Sequence, residues 1–141
     1  GVLEKQFRNY FKKAAKKDGP TGDNLLIMLE SRLDNTIYRL GLASTRSAAR
    51  QIVSHKHILI NNKIVNIPSY NLSAGDIIKV RDKSKKNIVF QESMRRIQGD
   101  NPMPWLSLDK SKLEGIFEQL PERQQIEEPV NEQLVVELYS K

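Results

Sequence analysis

Over Ser44–Lys63, STRSAARQIVSHKHILINNK, the chain reads as a capped helix followed directly by a tight hairpin. Ala48, Ala49, Ile52 and Val53 recur at steps of three and four, which places them on one face of a helix over Thr45–Ser54. Arg46 and Arg50, four apart, share the opposite flank with Ser47, Gln51 and Ser54. Ser44 stands where a helix cap is wanted. Ile58–Ile60 and Lys63–Val65 then read as two short strands, joined by Asn61-Asn62, a pair that accepts the positive φ of a type I′ turn. An apolar helix face joined this closely to a hairpin must lie on the sheet the hairpin starts. The expected class is therefore α+β, with two packed helices against a short, mostly antiparallel sheet.

The remaining pattern extends this frame. Val2–Lys17 reads as an amphipathic helix, with Leu3, Phe7, Tyr10, Phe11 and Ala14 on one side and Lys5, Arg8, Lys12, Lys13, Lys16 and Lys17 over much of the rest. Asp18-Gly19-Pro20 stops it. One helix is expected over Asn24–Leu40, capped by Thr21 or Asp23, striped by Leu26, Leu29, Leu33, Ile37 and Leu40, and closed by Gly41 at the C′ position. Gly75-Asp76 leads into a strand at Ile77–Val80, and RDKSKK at 81–86 forms a basic connector. A helix follows over Asn87–Ile97, then a second hairpin built from Trp105–Leu108 and Leu113–Glu118. Pro121–Pro129 reads as an acidic loop, and Asn131 caps a last helix with Leu134, Val135, Leu138 and Tyr139 on one face.

Composition narrows the chemistry. With no Cys, disulfides, thiolate metal sites and Cys nucleophiles are excluded, and a reducing compartment is expected. No apolar run approaches the roughly 18 residues of a membrane span. The net charge of +6 is unevenly spread: residues 1–90 hold 17 Lys/Arg against 7 Asp/Glu, and residues 91–141 hold 6 against 10. A basic working half of this kind meets nucleic acid, an anionic membrane or an acidic protein. No Gly-rich phosphate loop is present, and no pair of acids stands in an apolar setting. His55 and His57, two apart and without Cys partners, make a poor zinc site and read as turn or surface histidines. Neither catalysis nor a metal nor a cofactor is expected.

The stretch from Ser44 to Lys63 is suited to phosphate. A helix N-terminus carries unpaired N–H groups and partial positive charge, to which Ser44, Thr45 and Ser47 add hydroxyl donors. Arg46 and Arg50 offer forked guanidinium geometry, Gln51 and Ser54 neutral hydrogen bonds, and His55, Lys56 and His57 continue the surface to the turn. The competing structural account is a capped amphipathic helix whose arginines pair with nearby acids. Residues 35–75 contain no Asp or Glu, so Arg39, Arg46, Arg50, Lys56 and Lys63 lack a local carboxylate. RNA is favoured over DNA, because the short helix carries phosphate-type donors more than a row of base readers. Arg32 and, on the first helix, Arg8, Lys12, Lys13 and Lys16 complete the candidate RNA-binding set.

The segment SRLDNTIYRLGLASTRSAARQIVSHKHILINNKIVNIPSYNLSAGDIIKVRDKSKKN resembles the RNA-binding module named after small-subunit ribosomal protein four. That module also occurs in pseudouridine synthases, tyrosyl-tRNA synthetases and a small heat-shock protein. GVLEKQFRNYFKKA, PWLSLDKSKLEGIFEQLPER and NEQLVVELYSK resemble segments of the bacterial ribosomal family itself, so the likeness covers nearly the whole chain. Lys56 and Asn62 stand where many members have Gly, which implies tight turns made at some backbone cost.

The resemblance implies a discontinuous helical lobe over 1–23 and 121–141 and an RNA-binding domain over 24–120, with the module core at about 32–95. It further implies a non-enzymatic cytoplasmic protein of the ribosome, monomeric outside it and without a membrane contact. Such a protein binds the 5′ domain of 16S rRNA directly at a junction of helices, nucleates small-subunit assembly and lies near where mRNA enters. Family members touch small-subunit protein five, contribute to translational accuracy, and in some cases repress their own operon mRNA. The family normally has a further stretch before Gly1, with a zinc-binding Cys cluster in some members, and a chain that opens inside a helical pattern reads as a fragment. Two alternatives remain: the RNA-binding part of an RNA-modifying enzyme, which needs a catalytic domain this chain has no room for, and a basic protein–protein module, which predicts weak, salt-insensitive RNA binding.

Overall fold

The apolar stripe that reads as one helix over residues 24–40 is divided in space between two. The computed structural model describes residues 4–97 and 103–126. It contains α1 (Glu4–Lys16), α2 (Thr21–Glu30), α3 (Leu33–Arg39), α4 (Arg46–Ser54) and α5 (Ile88–Arg96). Its strands are β1 (Ile58–Ile60), β2 (Lys63–Ile64), β3 (Asp76–Val80), β4 (Leu106–Asp109) and β5 (Glu114–Phe117). The final helix expected after Asn131 lies outside the described residues. The described residues fall into two compact units, one of residues 4–30 with 121–126 and one of residues 31–97 with 103–120. The boundary expected at residue 24 falls inside α2.

The break between α2 and α3 comes from competition for backbone partners. Arg32 is extended (φ −66°, ψ 146°) and bridges to Asn71. Leu33 N donates to Tyr70 O at 2.8 Å, and Leu72 N donates to Ser31 O at 2.9 Å. These bonds replace the ones a continuous helix would make, and Leu29 goes to the core of the first unit while Leu33 and Ile37 go to that of the second.

In the first unit, Tyr10 and Ala14 of α1 pack with Leu25, Met28 and Leu29 of α2. Asn24 Nδ2 donates to Ala14 O at 3.1 Å, which also accepts from Lys17 N, and to Asp18 O at 3.2 Å, tying the start of α2 to the end of α1 and the turn after it. The chain turns at Gly19, whose φ of +95° favours glycine. Thr21 is the first residue of α2, so Asp23 lies in the first turn rather than ahead of it, and its carboxylate meets Arg123 at 3.8 Å.

In the second unit the five strands form one antiparallel sheet in the order β2-β1-β3-β5-β4. Ile58 pairs with Val80 and Ile60 with Ile78, so alternate residues of both strands point into the core. Leu33, Ile37 and Leu40 of the α3 region and Ala49, Ile52 and Val53 of α4 join Phe90, Trp105, Leu106, Leu108 and Phe117 in that core. Gly115 permits close approach there: a Cβ on it would stand 3.1 Å from both Leu40 Cδ1 and Ser107 O. Asn61 and Asn62 take φ of 51° and 69°, as the type I′ reading requires. The Asn61 side chain fixes the turn, donating to Asp76 Oδ1 and accepting from Ile77 N, both at 3.0 Å.

Candidate nucleic-acid interface

Helix α4 is held from three sides. Its cap is Thr45, whose Oγ1 accepts from Ala48 N at 3.0 Å; Ser44 is exposed and lies one residue outside the position expected for it. At the other end Lys56 adopts φ +66°, with Lys56 N bonded to Val53 O and His57 N to Ile52 O. This pair of bonds is a Schellman closure, with Lys56 in the position usually given to Gly. Ala49, Ile52 and Val53 are buried beneath.

The outward flank carries the expected polar groups. Arg46 is exposed, its Nε donates to Asn35 Oδ1 at 2.9 Å, and its guanidinium stacks over Tyr38 at 4.6 Å. Arg39 approaches the same ring at 5.8 Å. Arg50 Nη2 donates to Ser47 Oγ at 3.0 Å, which leaves the Ser47 O–H to act as a donor. Gln51 and His55 are exposed, and the Gln51 side chain makes no hydrogen bond among the described residues. Lys63 is exposed on β2, at the edge of the sheet. Arg50, Lys56 and Lys63 pair with no carboxylate among the described residues. On α1, in the other unit, Arg8, Lys12, Lys13 and Lys16 are all exposed.

Three sequence-derived candidates are placed elsewhere. Arg32 is buried, with Nε and Nη2 donating to the two Asp34 oxygens at 3.1 and 3.0 Å, so its charge is met within the protein. Ser54 gives its O–H to Arg50 O at 2.7 Å, which closes the helix end and removes that donor. His57 is half-buried, bonded through Nδ1 to Ser84 Oγ at 2.8 Å and set edge-on to Phe90 at 5.9 Å. Burial, with His55 and Arg81 nearby, holds its imidazole below the ordinary value of 6.5. It joins the end of α4 to the 81–86 connector. That connector also supplies a cation absent from the expected set, because Arg81 Nη1 donates to Lys56 O at 3.1 Å and so adjoins the same turn. The basic run RDKSKK was its signal in the sequence.

Two family models match the chain: the "S4 domain" over residues 31–78 and the "Ribosomal protein S4/S9 N-terminal domain" over residues 1–30. The whole chain is 52% identical to small ribosomal subunit protein uS4 of Chromobacterium violaceum, covering 68% of that protein. It is 55% identical to the uS4 protein of Lachnospira eligens over 72% of its length, and 52% identical to that of Shewanella loihica over 68%. The chain belongs to the uS4 family of small ribosomal subunit proteins.

The two uS4 family models meet at residues 30 and 31, where α2 ends and where the compact units divide. The S4 domain match contains α3, α4 and the β1–β2 hairpin, hence most of the cationic surface. Among the described residues of this uS4 chain no group of three or more His, Cys, Asp or Glu is placed to hold a metal ion, and no helix is long and apolar enough to cross a membrane.

Proposed function

We propose that this chain binds the 5′ domain of 16S rRNA directly, at a junction of RNA helices, and through that contact nucleates assembly of the small subunit in the cytoplasmic ribosome. The observation that carries the reading is the flank of α4: Arg46 and Arg50 are presented outward from a helix locked into the core by Ala49, Ile52 and Val53, within a segment free of Asp and Glu. Guanidinium groups held in fixed orientation suit phosphate oxygens, and a short helix with hydroxyls at its N-terminus adds further donors. The contact set is Ser44, Thr45, Arg46, Ser47, Arg50, Gln51, His55, Lys56, Arg39 and Lys63, joined by Arg8, Lys12, Lys13 and Lys16 of α1. Arg32, Ser54 and His57 are withdrawn from it because their polar groups are engaged internally. By family resemblance the reading extends to contact with small-subunit protein five, a contribution to translational accuracy, and binding to the chain's own operon mRNA.

Footprinting on 16S rRNA tests it, with protection at one multi-helix junction as the expected result and diffuse or absent protection as the contrary one. Changing Arg46 and Arg50 together to Ala flattens the slope of log K against log[salt] by roughly 1.4–1.8 if each meets a phosphate. An unchanged slope assigns both to the architecture of the protein.

A further inference from the structure

Between the C-terminal half of α4 and the first turn of α5 the surface opens into a groove of about 200 Å³. Ala48, Ile52, Val89 and Phe90 line it with apolar surface, and Gln51, His55 and Asn87 with polar groups. No acidic residue lines it. Val89 remains 41% exposed there, although it lies in the first turn of a helix whose other face is buried. The chain neighbours of the lining are basic: Arg50 precedes Gln51, Lys56 follows His55, and Lys86 precedes Asn87.

Each class of occupant must satisfy that combination. A phosphate gains nothing from an apolar floor. An aliphatic side chain of a protein partner would cover Gln51 and Asn87 without pairing them, which costs their hydration. A nucleobase has flat apolar faces and a polar edge, and an unstacked base arrives with phosphates on either side. Bases within an RNA helix stay stacked and do not enter.

We infer that the groove between α4 and α5 receives one unpaired RNA base, its faces against Val89 and the His55 ring, its edge on the amides of Gln51 and Asn87. The Asn87 Oδ1 accepts from Val89 N at 3.0 Å, so the group it turns to a ligand is its NH₂, a donor for a base carbonyl or ring nitrogen. His55 stands 6.4 Å from His57, tilted at 56° to it, and His57 is fixed by Ser84, which steadies the stacking face. Arg50 and Lys56 flank the site and meet the adjoining phosphates. The inference rests on the RNA reading above and adds a base contact to its backbone contacts.

The test uses the full chain. Uridine and adenosine 5′-monophosphates, titrated separately and followed by amide NMR, shift the resonances of His55, Val89 and Phe90, whereas ribose 5-phosphate does not. Ala48→Phe, which fills the groove, weakens binding to a 16S rRNA 5′-domain transcript by about tenfold or more, the effect of losing one stacked base, without changing the salt slope. Gln51→Ala, which removes an exposed side chain free of hydrogen bonds among the described residues, gives a smaller loss with the same slope and serves where Ala48→Phe fails to fold. Equal shifts from ribose 5-phosphate overturn the inference, as does parental affinity in the Gln51→Ala protein and in a folded Ala48→Phe protein. Either result leaves the RNA reading standing if the parent binds with a steep salt slope; a parent that binds without salt dependence removes both.

Discussion

The guanidinium carbon of Arg46 stands 4.6 Å from the centre of the Tyr38 ring, while its Nε is bonded to Asn35. Two supports on α3 therefore fix a cation carried by α4, and the fork is oriented before any ligand arrives. Substituting Leu for Tyr38 keeps the packing but removes the ring face. Cation–π contacts at exposed sites contribute about 0.5–1 kcal/mol, so RNA affinity falls by roughly two- to fivefold. Because the charge is retained, the salt slope stays where it was. Filter-binding titrations at several salt concentrations read both quantities.

The Arg32–Asp34 pair predicts a different outcome. Both residues are almost fully enclosed, at 5% and 4% exposure, and Asp34 also accepts from Asn35 N at 2.7 Å. Asp34→Ala takes two charge-assisted hydrogen bonds from a buried guanidinium and removes a helix-terminal acceptor, a loss of about 1.5–3 kcal/mol in urea denaturation. Arg32→Met, which removes the charge itself, leaves the salt slope for RNA unchanged. A flattened slope would place Arg32 at the RNA after all.

These two arginines show how far the sequence reaches. Both belong to the expected RNA-binding set, yet only Arg46 stands in a stretch of sequence without Asp or Glu. Arg32 is enclosed because the 68–72 loop closes over the start of α3, a contact remote along the chain. The Asp two residues after it was the available local signal. Local signals sufficed where one element decides: the Asn61-Asn62 turn, Gly41 after α3 (φ +87°) and the second hairpin all stand where turn chemistry and alternation put them. They did not suffice where two partners compete. Ser44 and Thr45 are both able caps, and the backbone chose the second. His57 reads as a surface residue until Ser84, far along the chain, is brought beside it.

His57 gives the fold a dependence on pH. Its folded pKa lies below 6.5, chiefly from burial, with His55 and Arg81 adding repulsion. The unfolded chain therefore binds the proton more readily, and stability rises with pH through the region below that value. Thermal melts show Tm falling as the buffer is taken from about pH 7 to about pH 5, and His57→Gln flattens that part of the curve. The carboxylates elsewhere add their own fall at lower pH, so the informative comparison is the difference between parent and variant.

Thr45 separates the stability of α4 from its encounter with RNA. Its Oγ1 satisfies Ala48 N at the helix start. Thr45→Ala removes that acceptor and costs about 1 kcal/mol, whereas Ser44→Ala, one residue outside, changes stability by a few tenths at most. Thr45→Asp restores the cap and places a negative charge at the positive end of the helix, so it holds or raises Tm. The same carboxylate stands where a phosphate is expected. The Asp variant is therefore at least as stable as the parent yet binds RNA more weakly, with the deficit widening as salt is lowered because repulsion is then less screened. Equal affinity for parent and Asp variant at low salt would move the phosphate away from this end of α4.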